Sequence, residues 1–181
     1  MRLRQYLLQD ALDQKFEIVG AGKQGNKIYD LYLRLDSEIL PQSPQTVVIW
    51  AGLNDIYHKQ LFGTGTDADR FESFYELLVQ RLKSAKIEVV VCTPAVIGEN
   101  TDYSNPFDTQ LLQYADIVRN VSATHDLKLV DLRKVFLQYN LEHNTGNLQA
   151  GILTTDGINL SDTGNIVVAE AIWKVLFETR A

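Results

Sequence analysis

The chain contains a single cysteine, Cys92, and so can form no internal disulfide. Its setting, Val89-Val90-Val91-Cys92-Thr93, is that of a small apolar side chain buried in a core. No run of about 18 apolar residues occurs, so no membrane-spanning helix is expected. At the start, Gln5, Gln9 and Asp10 interrupt the stretch after Arg2 and Arg4; this does not read as a signal peptide, and a cytoplasmic location is expected. There is no Lys/Arg-rich run, and the net charge of -6 argues against a nucleic acid or an anionic membrane surface as partner. His58, His125 and His143 lack metal-ligand spacing, so neither a metal nor any other cofactor is expected. Also missing are a Gly-x-Ser-x-Gly elbow, a Gly/Ser-rich linker, internal repeats and low-complexity tracts.

What is present is an ordinary globular composition over 181 residues, about the length of one domain, and residues 1–181 are read as one. Helix-like and strand-like patterns alternate along it, which predicts an α/β fold. Leu3, Tyr6, Leu7, Ala11 and Leu12 recur at helical spacing, and Phe16 to Val19 reads as a short strand. A helix is expected from about Asn26 to Leu40, ended by Pro41 and Pro44. Thr46 to Ala51 is nearly continuously apolar, as in a strand covered on both faces. Further strands are expected at Ile87 to Thr93 and Leu127 to Val130. Helices are expected through Phe71 to Leu82, Leu111 to Val118, Arg133 to Tyr139, and Gly164 to Thr179 behind a Ser161-Asp162-Thr163 cap. In the last of these, Ile166, Ala169, Ile172, Trp173 and Leu176 should face inward. Ligands of open parallel sheets bind at the carboxyl ends of the strands, which directs attention to Gly20 to Asn26, Gly52 to Tyr57, Pro94 to Asn105 and the residues from Asp131 onward.

Three blocks lie on those loops: Gly25, the run Gly52-Leu53-Asn54-Asp55 closing an apolar strand, and Asp156-Gly157-Ile158-Asn159 near the end. Each has a plain local explanation: a turn glycine at positive φ, Asn and Asp capping nearby backbone, and a turn dipeptide. Together, in this order, they resemble the SGNH (GDSL-type) hydrolases, a family of ester hydrolases with a Ser-His-Asp triad. Ile28-Tyr29-Asp30-Leu31, Thr93-Pro94-Ala95 and Asp162-Thr163-Gly164-Asn165 extend the resemblance over the chain. It implies a three-layer α/β/α flavodoxin-like fold with a parallel sheet, an oxyanion hole at Gly25 and Asn54, and catalytic positions at Asp156 and Asn159. The implied ligand is a small ester or acyl compound.

Two members of the family's triad are absent. No Gly-Asp-Ser block occurs, and Asn159 stands where the family carries its His; a carboxamide has no basic nitrogen. The expectation is a family esterase that is inactive or impaired as written, or a non-catalytic binding module. The serine block normally rides on the first strand, inside the sheet. Without it, the strand near Ile18 is expected to pair directly with that near Val48, or a strand to be exchanged between chains in a homo-oligomer, or the sequence to be a fragment of a longer chain. Gly20-Ala21-Gly22-Lys23-Gln24-Gly25 is also a formal G-x-G-x-x-G, which keeps a dinucleotide-binding domain as a further alternative.

Overall fold

A computed structural model of the protein describes residues 2–9 and 15–178. Its centre is a parallel sheet of three strands, β1 (Thr46–Trp50), β2 (Glu88–Cys92) and β3 (Lys128–Val130), in the order β1-β2-β3. Thr46 stands opposite Glu88 and Val90 opposite Lys128. Around it lie α1 (Arg2–Gln9), α2 (Ile28–Arg34), α3 (Leu53–Phe62), α4 (Ala68–Ser84), α5 (Asp108–His125), α6 (Leu132–His143) and α7 (Asp162–Trp173).

The pleat of β2 divides the interior into two cores. Val89 and Val91 point into one, with Ile28, Phe71, Tyr75, Leu82, Leu111 and Val118 from α2, α4 and α5. Val90 and Cys92 point into the other, with Val130, Leu132, Phe136, Val168 and Ile172. Helices thus cover both faces of the central strand, and both sets of its side chains must be apolar, which is why alternation is lost from the sequence there. Full burial of one such aliphatic side chain stabilises by about 1.5–3 kcal/mol.

β1 departs from the expectation of two covered faces. Ile49 is buried on the α2/α4 side, but Val48 and Trp50 on the other side each remain 37% exposed. Among the described residues β1 pairs only with β2, so its outer edge carries no ladder. Phe16 to Val19 does not form the expected strand, and Ile18 does not pair with Val48. The Arg4 guanidinium donates to the Ile18 carbonyl from Nε at 3.0 Å and Nη2 at 2.6 Å, taking an acceptor that a ladder would need. Glu17 and Val19 lie exposed, while Phe16 packs edge-on against Phe177 at 5.1 Å. The α/β fold with a parallel sheet stands, with three strands in the sheet among the described residues.

Other elements match with shifted bounds. α2 continues through a π turn at Leu35–Ile39 and a 3₁₀ turn at Leu40–Gln42, so the helical path passes Pro41 and ends at Ser43 in left-handed conformation. Pro is tolerated there because it opens a new short turn, where its missing N–H would have no partner. Ser161 caps α7, its hydroxyl accepting from Gly164 N at 3.1 Å. Within α7, Ala169, Ile172 and Trp173 are buried as expected, whereas Ile166 is 37% exposed. Ala11 and Leu12 fall outside the described residues. No described helix is long and apolar enough to cross a membrane.

Candidate functional site

The loop after β1 is shorter than expected, because α3 begins at Leu53 where Gly52 to Tyr57 reads as loop. Its start is fixed by Asp55, which is fully buried. Asp55 Oδ2 accepts from Gly52 N at 3.2 Å and Oδ1 from Ile28 N at 3.1 Å. One carboxylate therefore caps two helices and fixes the loop carrying Gly25 against the loop carrying Asn54. Burial raises the Asp55 pKa, and the N–H donors on the carboxylate pull it back toward the charged form. Gly63, in left-handed conformation, ends α3.

Asn54 thus sits in the first turn of a helix at the sheet edge. One of its amide hydrogens goes to the Asn26 carbonyl at 3.0 Å; the group has two, so a second donor is left. Gly25 has φ of 79°, the region that favours glycine, and a side-chain carbon added to it would lie 3.6 Å from His58 Cε1. Asn26, Trp50, Ala51, Gly52, Leu53 and Asn54 line an open cleft of about 170 Å³ at the end of β1. The bond from Asn54 to the Asn26 carbonyl holds Asn54 against the residue that follows Gly25, and Gly25 itself lies beside His58.

Asp156 and Asn159 lie on the loop between α6 and α7. Asp156 Oδ2 accepts from Asn159 Nδ2 at 2.7 Å, and its Oδ1 accepts from the backbone N–H groups of Asn159 at 2.7 Å and Ile158 at 3.0 Å. The Asn159 backbone N–H, then its carboxamide, then the Ile158 N–H hold the Asp156 carboxyl below its ordinary pKa. Asp156 opens on a second cleft of about 160 Å³, whose walls include Tyr57, Ile97, Phe107, Gln149 and Ile158. Tyr57, one turn along α3 from Asn54, meets Phe107 edge-on at 6.2 Å, and both line this second cleft. Asn54 and Asp156 therefore line two different clefts, not a single pocket.

Among the described residues, neither cleft is lined by a serine, cysteine or histidine. The hydroxyls of Ser73, Ser84 and Ser122 bond to backbone carbonyls, and that of Ser161 bonds to Ile152 O while capping α7. Among the described residues no group of three or more His, Cys, Asp or Glu is placed to hold a metal ion. The dinucleotide alternative meets two obstacles. No strand precedes Gly20 among the described residues, and the N-terminus of α2, where a pyrophosphate would bind, is occupied by the carboxylates of Asp55 on Ile28 N and Asp30 on Lys27 N.

Sequence reasoning missed Tyr57, Phe107 and Glu99, and read Asp55 only as satisfying nearby backbone in a loop, not as capping two helices. For Asp55 a signal was available, since an Asp at the third position of a helix ending in Gly63 fits a capped start.

The profile of the GDSL-like Lipase/Acylhydrolase family matches residues 2–165. The chain belongs to this family. A relative, the acetylxylan esterase of Geobacillus stearothermophilus, is 23% identical over 158 residues, covering 85% of this chain and 69% of that protein. The uncharacterized lipoprotein YqeF of Bacillus subtilis (strain 168) is 25% identical over 92% of this chain and 76% of its own length. Among solved structures, the acetyl xylan esterase AlAXEase superposes with a TM-score of 0.95 at 44% identity, over 97% of this chain and 89% of that one. The Geobacillus enzyme Axe2, solved also as catalytic mutants of a serine, an aspartate and a histidine, has the same fold at 22% identity.

Proposed function

We propose that this chain is a GDSL-family esterase domain that keeps a ligand site at its sheet edge but does not turn esters over by the family's Ser-His-Asp chemistry. The observation that carries this is the bond from Asn159 Nδ2 to Asp156 Oδ2 at 2.7 Å. It reproduces the orienting contact of the triad with a group that can donate to the aspartate but cannot remove a hydroxyl proton. Gly25 and Asn54 supply backbone and carboxamide donors suited to an oxyanion or an ester carbonyl. The ligand is a small neutral acyl ester, and the acetylxylan esterases among the relatives make an acetylated saccharide the first candidate.

Hydrolysis of p-nitrophenyl acetate tests this reading. Loss of triad members leaves about 10³–10⁴ over water where oxyanion hole and binding survive, and losses within one catalytic unit do not add. Turnover is expected at or below that floor, with no labelling by a fluorophosphonate probe. Burst kinetics or labelling at a specific serine would sink the proposal. The open edge of β1 favours one further reading, in which two copies associate through it; the sedimentation coefficient at rising concentration decides that.

A further inference from the structure

Glu99 lies on the loop after β2, is 1% exposed, and is among the largest fully buried side chains. A buried carboxylate is costly unless donors surround it, and here they do. Its oxygens accept from Ile152 N at 3.0 Å, from Leu153 N at 3.1 Å, from Thr154 N and from the Thr154 hydroxyl. No cation pairs with it in these contacts; successive backbone N–H groups of one loop surround it instead, a concave anion-holding arrangement made by the chain itself.

The backbone of Glu99 is tied to the same loop. Its N–H donates to Gln149 O at 2.9 Å and its carbonyl accepts from Asn144 Nδ2 at 2.8 Å. From the carboxylate the connection continues. Thr154 Oγ1 donates to Glu99 and accepts from Gly157 N at 3.0 Å, while Gly157 O accepts from Gly98 N at 2.8 Å. Gly157 has φ of 88°, and a side-chain carbon there would lie 3.4 Å from Gly98 N, so the two loops touch backbone to backbone. Asp156, directly before Gly157, is exposed, so burial does not place it.

We infer that Glu99 is the positioning residue of the Asp156–Asn159 pair, acting through the Thr154 hydroxyl and the Gly157 N–H to fix the turn in which Asp156 receives its donors. This rests on the reading of Asp156 and Asn159 as the site but not on any ligand binding there. Nothing in the local sequence marks Glu99, because its partners lie 53 to 55 residues away.

The test uses the full chain and two variants, Glu99→Gln and Thr154→Val. The first sets an amide donor against N–H donors. The second preserves volume and removes only the relay, so it reports even if Glu99→Gln does not fold. Two readouts are taken by NMR: the midpoint of the Asp156 carboxyl titration and the hydrogen exchange of the Ile158 and Asn159 amides. In folded variants, judged by unchanged exchange in α4, the Asp156 midpoint should move up toward the ordinary carboxylate value and exchange at residues 158 and 159 should speed by at least about tenfold. A Thr154→Val protein with both readouts unchanged would overturn the inference, leaving Glu99 as an anchor of residues 152–154 alone. Ester-binding assays do not enter this outcome, so its failure is distinct from failure of the proposed function.

Discussion

Neither polar atom of the Asn159 side chain is basic, yet one of them meets Asp156 as a ring N–H would. In Asn159→His, Asp156 should hold the introduced imidazole in orientation and raise its pKa above the ordinary value of about 6.5. Ester hydrolysis should nevertheless stay within about threefold of the parent, because a base without a nucleophile starts no acyl transfer. An NMR titration of the ring and a p-nitrophenyl acetate assay check the two halves separately. A second residue-scale prediction concerns Asp55. Asp55→Ala leaves the N–H groups of Ile28 and Gly52 without their buried acceptor, so a loss of about 2–4 kcal/mol is expected in urea unfolding. An unchanged midpoint would show that water replaces the carboxylate there.

At the scale of elements, β2, α4 and α5 were legible because their apolar residues satisfy burial on both faces or at helical spacing. β1 was legible as a strand but not in its environment. Nothing within Thr46–Trp50 distinguishes a strand with one open face from a covered one, since cover comes from distant helices. Phe16 to Val19 was misread for a related reason: β-type residues make a strand only when a neighbour accepts their ladder, and here Arg4 takes the Ile18 carbonyl. α3 was lost to a Gly-x-Asn-Asp run that looks like a turn until Asp55 is seen to cap it. Asn54 was found as a site residue all the same, because the strand end marks the sheet edge whether loop or helix comes next. Among the described residues the outer edge of β1 carries no ladder, and Val48 and Trp50 are exposed on one face beside it, a combination that favours association. Val48→Lys should cost less than about 1 kcal/mol in stability and lower the aggregation rate measured by light scattering.

Across the whole molecule, the carboxyls held below their ordinary pKa set the acid side of stability. Asp131 illustrates the balance: burial raises its pKa, but Arg119 with bonds at 3.0 Å, the Lys134 N–H and the Thr93 hydroxyl lower it on balance. A lowered folded pKa contributes stability that is present above the unfolded value and lost as pH falls through the folded one. Unfolding midpoints should therefore decline below about pH 4, the ordinary Asp value. Asp55, with its pKa raised, acts in the opposite sense and softens the decline. On the alkaline side, burial pushes the Cys92 thiol up to about 12. A raised folded pKa means full stability below the unfolded value and progressive loss as the unfolded thiol ionises. Midpoints should thus sag from about pH 9 upward, and less so in Cys92→Ala once its lower starting stability is subtracted.

The charge of the Asp156–Asn159 pair has a consequence for any ligand entering the neighbouring cleft. A protonated imidazole beside Asp156 would neutralise the aspartate, which a carboxamide cannot do. With a carboxamide, the Asp156 carboxylate stays charged at neutral pH and lines the same cleft as Tyr57 and Phe107. A free carboxylate, such as the acid released from an ester, meets repulsion there that an uncharged glycoside does not. Any preference for an uncharged over an anionic ligand in this cleft is expected to fade as added salt screens the field over about 8–10 Å, which binding of acetate against an uncharged acetyl ester at rising salt would check.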